Sequence, residues 1–261
     1  MPTALVTGAS AGLGEEFAQQ LSARGYDLVL VARSADRLEE LAGRLREHRG
    51  VAVEVLPADL ADREQLARVA ARVADAEHDR PVDLLVNNAG FGLRQGLLGG
   101  DLAEQETALD VMVRPVLVLT HAAVNRMAPA GRGAVLNVSS VASWATMGSY
   151  SAIKAWVTVF SEGLARELAD RGVLVTAVCP GFVHTEFHAR ARISKQMVPG
   201  RMWLTADRVV AEALADLDRG HPVSVPSRRY RAVVRLLRHA PRRLVRRGSA
   251  GMSRRRGSGS P

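Results

Sequence analysis

The sequence predicts an α/β protein built on a doubly wound parallel sheet, and three observations carry that reading. Short apolar runs at Thr3–Val6, Leu28–Ala32, Ala52–Leu56, Leu84–Val86, Ala134–Leu136 and Val173–Val178 alternate with longer stretches of helical spacing. The first run breaks into Thr7-Gly8-Ala9-Ser10-Ala11-Gly12-Leu13-Gly14 before a helix, the order required of a phosphate-binding strand, turn and helix. With 261 residues, 47% of them apolar, the chain can bury a sizeable core, and nothing marks a second globular unit.

Bulk properties narrow the class further. Cys179 is the one cysteine, so no internal disulfide forms and a reducing compartment fits. A strand beginning at Thr3 leaves no room for a signal peptide, and no apolar run approaches the ~20 residues of a membrane span, so a cytoplasmic protein is expected. The net charge of +8 is concentrated at one end. Twelve arginines and no acidic residue lie between Arg228 and Arg256; the remainder has 23 basic residues against 27 acidic, a net of −4. Lys154 and Lys195 are the only lysines in a chain that otherwise uses arginine, which gives Lys154 added weight.

Each element has its own signals. The helix Glu15–Ala23 places Phe17, Ala18 and Leu21 on one side. Gly8 permits a tight turn, Gly12 lets the backbone approach a pyrophosphate, and Gly14 lets the helix pack on the sheet with its N-terminus facing the anion. A plain strand-to-helix connection has the same outline. The second strand ends at Arg33, beside the helix Ser34–Arg46 with Leu38, Leu41 and Leu45. A carboxylate at this strand end suits the ribose of NAD and an arginine suits the 2′-phosphate of NADP, unless Arg33 is merely solvated. The third strand leads to Asp59-Leu60, where the carboxylate either accepts from an adenine amino group or caps the helix Arg63–Ala76. The fourth runs into Asn87-Asn88-Ala89-Gly90, whose small residues admit a cofactor while the asparagines bond across neighbouring strands.

Tyr150-Ser151-Ala152-Ile153-Lys154 carries candidate chemistry. On a helix, residues four apart share a face, so the phenol and the ammonium are neighbours. A nearby positive charge favours phenolate and draws the hydroxyl from its ordinary ionisation near pH ~10 toward neutrality. Ser140, ten residues upstream, follows a strand end that would deliver its hydroxyl into a cleft. Trp144, Met147, Trp156, Val157 and Phe160 read as core around this stretch, and Cys179 as a packed small hydrophobe.

Thr7-Gly8-x-x-x-Gly12-x-Gly14, Asn87-Asn88-Ala89-Gly90, Ser140 with Tyr150-x-x-x-Lys154, and Pro180-Gly181 followed by Thr185 stand in that order. On these motifs the chain resembles the short-chain dehydrogenase/reductase family from about Thr3 to Leu217. The resemblance implies a single Rossmann-type domain of about seven parallel strands that interconverts a carbonyl and an alcohol with a nicotinamide cofactor, NADP(H) preferred over NAD(H). It implies that Tyr150 exchanges the proton, that Ser140 holds the substrate oxygen, and that Lys154 binds the nicotinamide ribose and lowers the tyrosine pKa. It further implies cofactor contacts from Gly8, Ser10, Gly12, Leu13, Gly14, Arg33, Asp59, Leu60, Asn87, Ala89, Gly90, Tyr150, Lys154, Pro180, Gly181, Val183 and Thr185. Family members often pair through the helix Tyr150–Leu168, implying a homodimer or homotetramer with Trp156 and Phe160 at the interface. One position departs from the family pattern: Met112 stands where an asparagine would hold a water linking the lysine to solvent, and a thioether does this poorly. Either another residue or a backbone carbonyl substitutes, or proton exchange slows, or turnover is lost and the protein is a cofactor-binding scaffold or sensor.

The segment His184–Leu204 lacks clean periodicity and carries Phe187, His188, Ile193, Met197, Met202 and Trp203, which suits a substrate lid over an apolar or bulky substrate. Its two histidines have no partner cluster, so no metal site is read. Thr205 caps a helix Ala206–Leu217, and His221–Val225 reads as the last strand. The catalytic domain is placed at residues 1–227 and a basic extension at 228–261. In Arg228–His239, Tyr230, Val233, Val234 and Leu237 fall at i, i+3, i+4 and i+7 among arginines. This helix either docks on the body or touches anionic lipid through 228–247; nucleic acid is not expected, because no stacking aromatics or binding module accompany the charge. Gly248–Pro261 reads as disordered.

Overall fold

Seven strands pair in parallel into one sheet: β1 (Thr3–Thr7), β2 (Asp27–Ala32), β3 (Val53–Pro57), β4 (Val82–Asn87), β5 (Gly133–Val138), β6 (Val173–Val178) and β7 (Val223–Ser224), in the order β3-β2-β1-β4-β5-β6-β7. The structure is a computed structural model and describes residues 1–93, 95–185, 199–241 and 243. The order reverses between β1 and β4, and the carboxyl ends at that reversal open a crevice.

Strands buried on both faces read as unbroken apolar runs, so the sequence does not reveal which residue faces which way. The structure separates them with a period of two. Val6, Leu28, Leu30 and Val86 meet Phe17, Leu21, Leu38 and Leu214 from α1 (Gly12–Ala23), α2 (Ala35–Arg49) and α7 (Ala206–Asp218). Leu5, Val29, Leu85 and Val135 meet Leu66, Val69, Leu119 and Leu164 from α3 (Arg63–Ala74), α5 (Arg114–Met127) and α6 (Ser149–Glu167). α4 (Leu102–Met112) leads into α5 through Val113, and α8 (Arg228–His239) closes the described fold.

Several boundaries differ from the sequence reading. α1 starts at Gly12, three residues early, because its first turn is built from the glycine-rich stretch. Asp62, not Asp59, caps α3, its carboxylate accepting from the Glu64 and Gln65 N–H groups; Asp59 accepts instead from Ala61. Thr205 sits at the N-cap of α7 without a side-chain cap bond, and the last strand is two residues long. Leu102–Met127 does satisfy the length and composition of a membrane span, against expectation. It is two helices that break at Val113, and Val116, Leu119, Ala123 and Met127 are buried in the protein's own core.

A buried polar chain fixes the central strands against two helices. The Asn87 amide donates to Thr120 Oγ1 (3.1 Å) and Asn137 Oδ1 (2.9 Å), and the Asn137 amide donates to Ser161 Oγ (2.9 Å). These bonds lock β4, β5, α5 and α6 in one register, because any slip would orphan a buried donor, although Asn87 Oδ1 itself has no partner among the described residues. α8 packs back on the body: Tyr230 and Val234 are buried, and the Arg238 guanidinium lies over Trp144 and 3.3 Å from Glu162.

Candidate active site

At the crevice, β1 turns into α1 through two left-handed residues, Gly8 (φ 65°) and Gly12 (φ 61°). A Cβ on Gly14 would overlap the Gly8 carbonyl oxygen, so the missing side chain brings the helix against the turn as well as the sheet. The N-cap residue Ala11 offers no side-chain acceptor, which leaves the first N–H groups of α1 to another acceptor. Thr7 Oγ1 accepts from the Asn88 and Ala89 N–H groups (2.9 and 3.1 Å), while the Asn88 amide donates to the carbonyls of Thr7 and Gly8. Asn88 is therefore the asparagine that shapes the turn. The Asn87 amide N–H groups are committed to the buried chain. A Cβ on Gly12 would lie 3.2 Å from Thr185 Cβ, so Thr185 roofs the turn.

Beside the turn lies a cleft of about 220 Å³ lined by Ser10, Gly12, Glu15, Arg37, Glu40 and Arg44. Arg44 is occupied, bridging Glu15 (2.9 Å) and Glu40 (2.6 Å). Arg33 is exposed and has no ion-pair partner among the described residues. Arg37, four residues after Arg33, lines this cleft and was not singled out from the sequence. The Leu60 side chain is buried in the core, and the Asp59 carboxylate accepts from the Ala61 N–H (3.0 Å).

Across the crevice, β5 ends at two serines with different surroundings. Ser139 is buried, its hydroxyl bonded to the Lys154 carbonyl and Thr158 (2.7 Å each). Ser140 is half-buried; its Oγ accepts from the Ala142 N–H (3.1 Å) and starts the 3-10 turn Val141–Trp144. Lys154, buried in α6, donates to the Val138 carbonyl (2.9 Å), and its ammonium is 5.9 Å from the Tyr150 ring centroid. Desolvation lowers the lysine pKa to about 8, with Cys179 opposing in part; burial likewise pushes the Cys179 thiol up to about 11, so that thiol is packing. Met112, 1% exposed, fills an apolar cluster with Ala108 and Ile153 against Phe91 and Tyr150. The carbonyl of Val138 is the group that holds the ammonium.

Pro180 and Gly181 adjoin this site, the Pro180 carbonyl accepting from the Val141 N–H (3.0 Å). Beyond them His184 stacks on Trp203 at a ring-centroid distance of 4.8 Å, and Phe182 meets Trp203 in a tilted contact at 5.6 Å. Phe187, His188, Ile193 and Met197 lie outside the described residues.

Comparison with known proteins agrees with this fold. A family model described as short chain dehydrogenase matches residues 2–196. A short-chain dehydrogenase from Sphingobium yanoikuyae, solved in complex with NADPH, is 38% identical with a TM-score of 0.82, covering 89% of this chain and 92% of that one. The bulky-bulky ketone specific alcohol dehydrogenase from Comamonas testosteroni is 31% identical with a TM-score of 0.78, over 93% and 98% of the two chains. Sulfoacetaldehyde reductase 2 of Chromohalobacter salexigens is 34% identical over 218 residues, 82% of this chain and 85% of the relative.

The buried ammonium generates a pH-dependent expectation. Between about pH 8 and the ordinary lysine value of 10.5, the folded protein binds fewer protons than the unfolded chain, so its stability rises with pH across that window. Below it, burial of the charge costs a constant ~3 kcal/mol. Lys154→Met is expected to raise the melting temperature at pH 7, with an advantage that shrinks toward pH 10. A difference that stays constant from pH 7 to 10 would contradict the lowered pKa.

Proposed function

The chain belongs to the short-chain dehydrogenase family, and we propose that this NAD(P)-dependent oxidoreductase interconverts a carbonyl and an alcohol on a bulky, apolar substrate, with NADP(H) as its preferred nucleotide. The observation that carries the reading is the convergence, at one end of the sheet, of an uncapped helix N-terminus with Ser140, Tyr150 and a buried lysine. Residues 1–227 carry the reaction in this reading.

Gly8, Ser10, Gly12, Leu13 and Gly14 would hold the pyrophosphate. Arg33 would pair with the 2′-phosphate, with Arg37 as a second cation. Asp59, Leu60, Asn87, Ala89 and Gly90 would hold the adenosine side, and Pro180, Gly181, Val183 and Thr185 the nicotinamide end. The bound nicotinamide supplies or accepts a hydride. Ser140 Oγ holds the substrate oxygen, the Tyr150 phenol gives or takes its proton, and the Lys154 charge favours the phenolate. The exposed His184 stacked on the half-buried Trp203, with Phe182, suits an apolar substrate, and the likeness to a bulky-bulky ketone dehydrogenase points the same way.

Two further features enter this reading. The basic helix α8 serves by docking on the body, since its stripe residues Tyr230 and Val234 are buried there; contact with anionic lipid is left to Arg228, Arg235 and the exposed Leu236. The outward face of α6, where Trp156 stacks on Phe160 at 4.8 Å beside the exposed Val159, meets a second copy. Light scattering at micromolar concentration should give a dimer or tetramer, and a monomer throughout would remove this face from the proposal.

Hydride transfer should be followed with both nucleotides across bulky ketones and alcohols. The parent is expected to favour NADPH, Arg33→Asp to shift preference toward NADH, and Tyr150→Phe to lower kcat/KM by ~10²-fold or more while NADPH still binds. Undiminished turnover in Tyr150→Phe would sink the assignment. A second reading, a nucleotide-binding scaffold or sensor, is favoured by one observation, the apolar burial of Met112 beside Tyr150. Nucleotide binding without turnover on any substrate would support it. Under the enzyme reading, Met112→Asn turns over at the parent rate or faster; a collapse in folded protein would count against the role given to that position.

A further inference from the structure

The helix α8 reaches Gly181 through the Tyr230 side chain. Tyr230 is 3% exposed, and a Cβ on Gly181 would fall within its ring, so the ring fills the place that Gly181 leaves open. Its hydroxyl accepts from the Phe182 N–H (3.0 Å) and donates to the Met202 carbonyl (2.7 Å). Those two partners belong to strands of chain that also bond to each other. The His184 N–H donates to the Leu204 carbonyl (2.9 Å) and the Leu204 N–H to the Phe182 carbonyl (2.8 Å). The Tyr230 cluster includes Val183, Leu204 and Val209, with Leu13 from the glycine-rich turn and Val141 from the turn after Ser140 packed against it.

The approach of the helix is itself fixed. Ser227, buried and held at φ 81°, donates its N–H to Glu212 Oε2 (2.8 Å), a left-handed serine that only surrounding contacts can sustain. At the far end, Arg238 lies over Trp144 (5.0 Å) and pairs with Glu162. Both ends of α8 are thus tied to the body of the protein.

We infer that Tyr230 is a positioning residue that clamps Gly181–Thr185 to Met202–Leu204 and thereby sets how tightly the crevice holds its dinucleotide. The clamp rests on the dinucleotide reading above, and it acts through Thr185, which roofs Gly12, and Leu13. One hydroxyl serves as acceptor and donor at once, so its removal releases a part-buried N–H and a carbonyl together.

Tyr230→Phe keeps the ring and removes both bonds. It is expected to speed amide exchange at Phe182, His184 and Leu204, and to raise the NADPH Kd about three- to tenfold, the equivalent of one hydrogen bond. KM for the nucleotide should rise with it while kcat changes little. Gly181→Ala, which displaces the ring, should reproduce the loss. Val234→Ala on the same helix serves as the control; it should lower the melting temperature and leave the NADPH Kd within about twofold of the parent. An NADPH Kd within about twofold of the parent in well-folded Tyr230→Phe would overturn the clamp alone. Failure of the parent itself to bind NADPH would sink the dinucleotide reading and the clamp with it.

Discussion

A positive charge buried under the sheet's carboxyl edge is the constraint from which the rest of this structure follows. Lys154 is 5% exposed, and an ammonium so placed requires a partner of fixed position. The Val138 carbonyl supplies it, being the last of β5 and therefore free of the sheet's own pairing on one side. To keep the two in line, α6 must hold its register along β5. The bonds from Ser139 and Thr158 to the Lys154 carbonyl and from Asn137 to Ser161 do this within three turns of the helix. The placement of Tyr150 on α6 then inherits its geometry from a buried polar seam.

The opposite wall is organised by the absence of side chains. Gly14 lets α1 begin against the Gly8 carbonyl, and Asn88 closes the turn from β4, so a donor-rich helix end is held open by packing rather than by a capping side chain. The two walls meet at the same strand ends, one bringing fixed N–H groups and the other a fixed cation. Both favour an anionic, polyfunctional ligand over a neutral one.

Much of this was legible in the sequence, and the limits were physical. The strands were legible because parallel strands buried on both faces are uniformly apolar, and for the same reason their facing was not. The onset of α1 at Gly12 was hidden because glycine has poor helix propensity. Asp59 and Asp62 have the same chemistry, and only the backbone conformation told which one caps α3. The pair Asn87-Asn88 divided its labour by strand alternation, sending one amide into the core and the other to the turn. The amphipathic stripe of α8 could be counted from its residues, but the surface it covers, including the void at Gly181, is a tertiary fact.

The brevity of β7 has a consequence for the protein in concentrated solution. An open sheet invites strand addition along its outer borders, and here one border is a two-residue strand whose Ser224 hydroxyl is engaged by Asp216. At the other border, β3 ends in Pro57, which has no N–H to offer, and Glu54 on that strand is paired with Arg72. Neither margin presents a long flat ladder, and a highly apolar sheet is thereby shielded from edge-to-edge aggregation with its own kind.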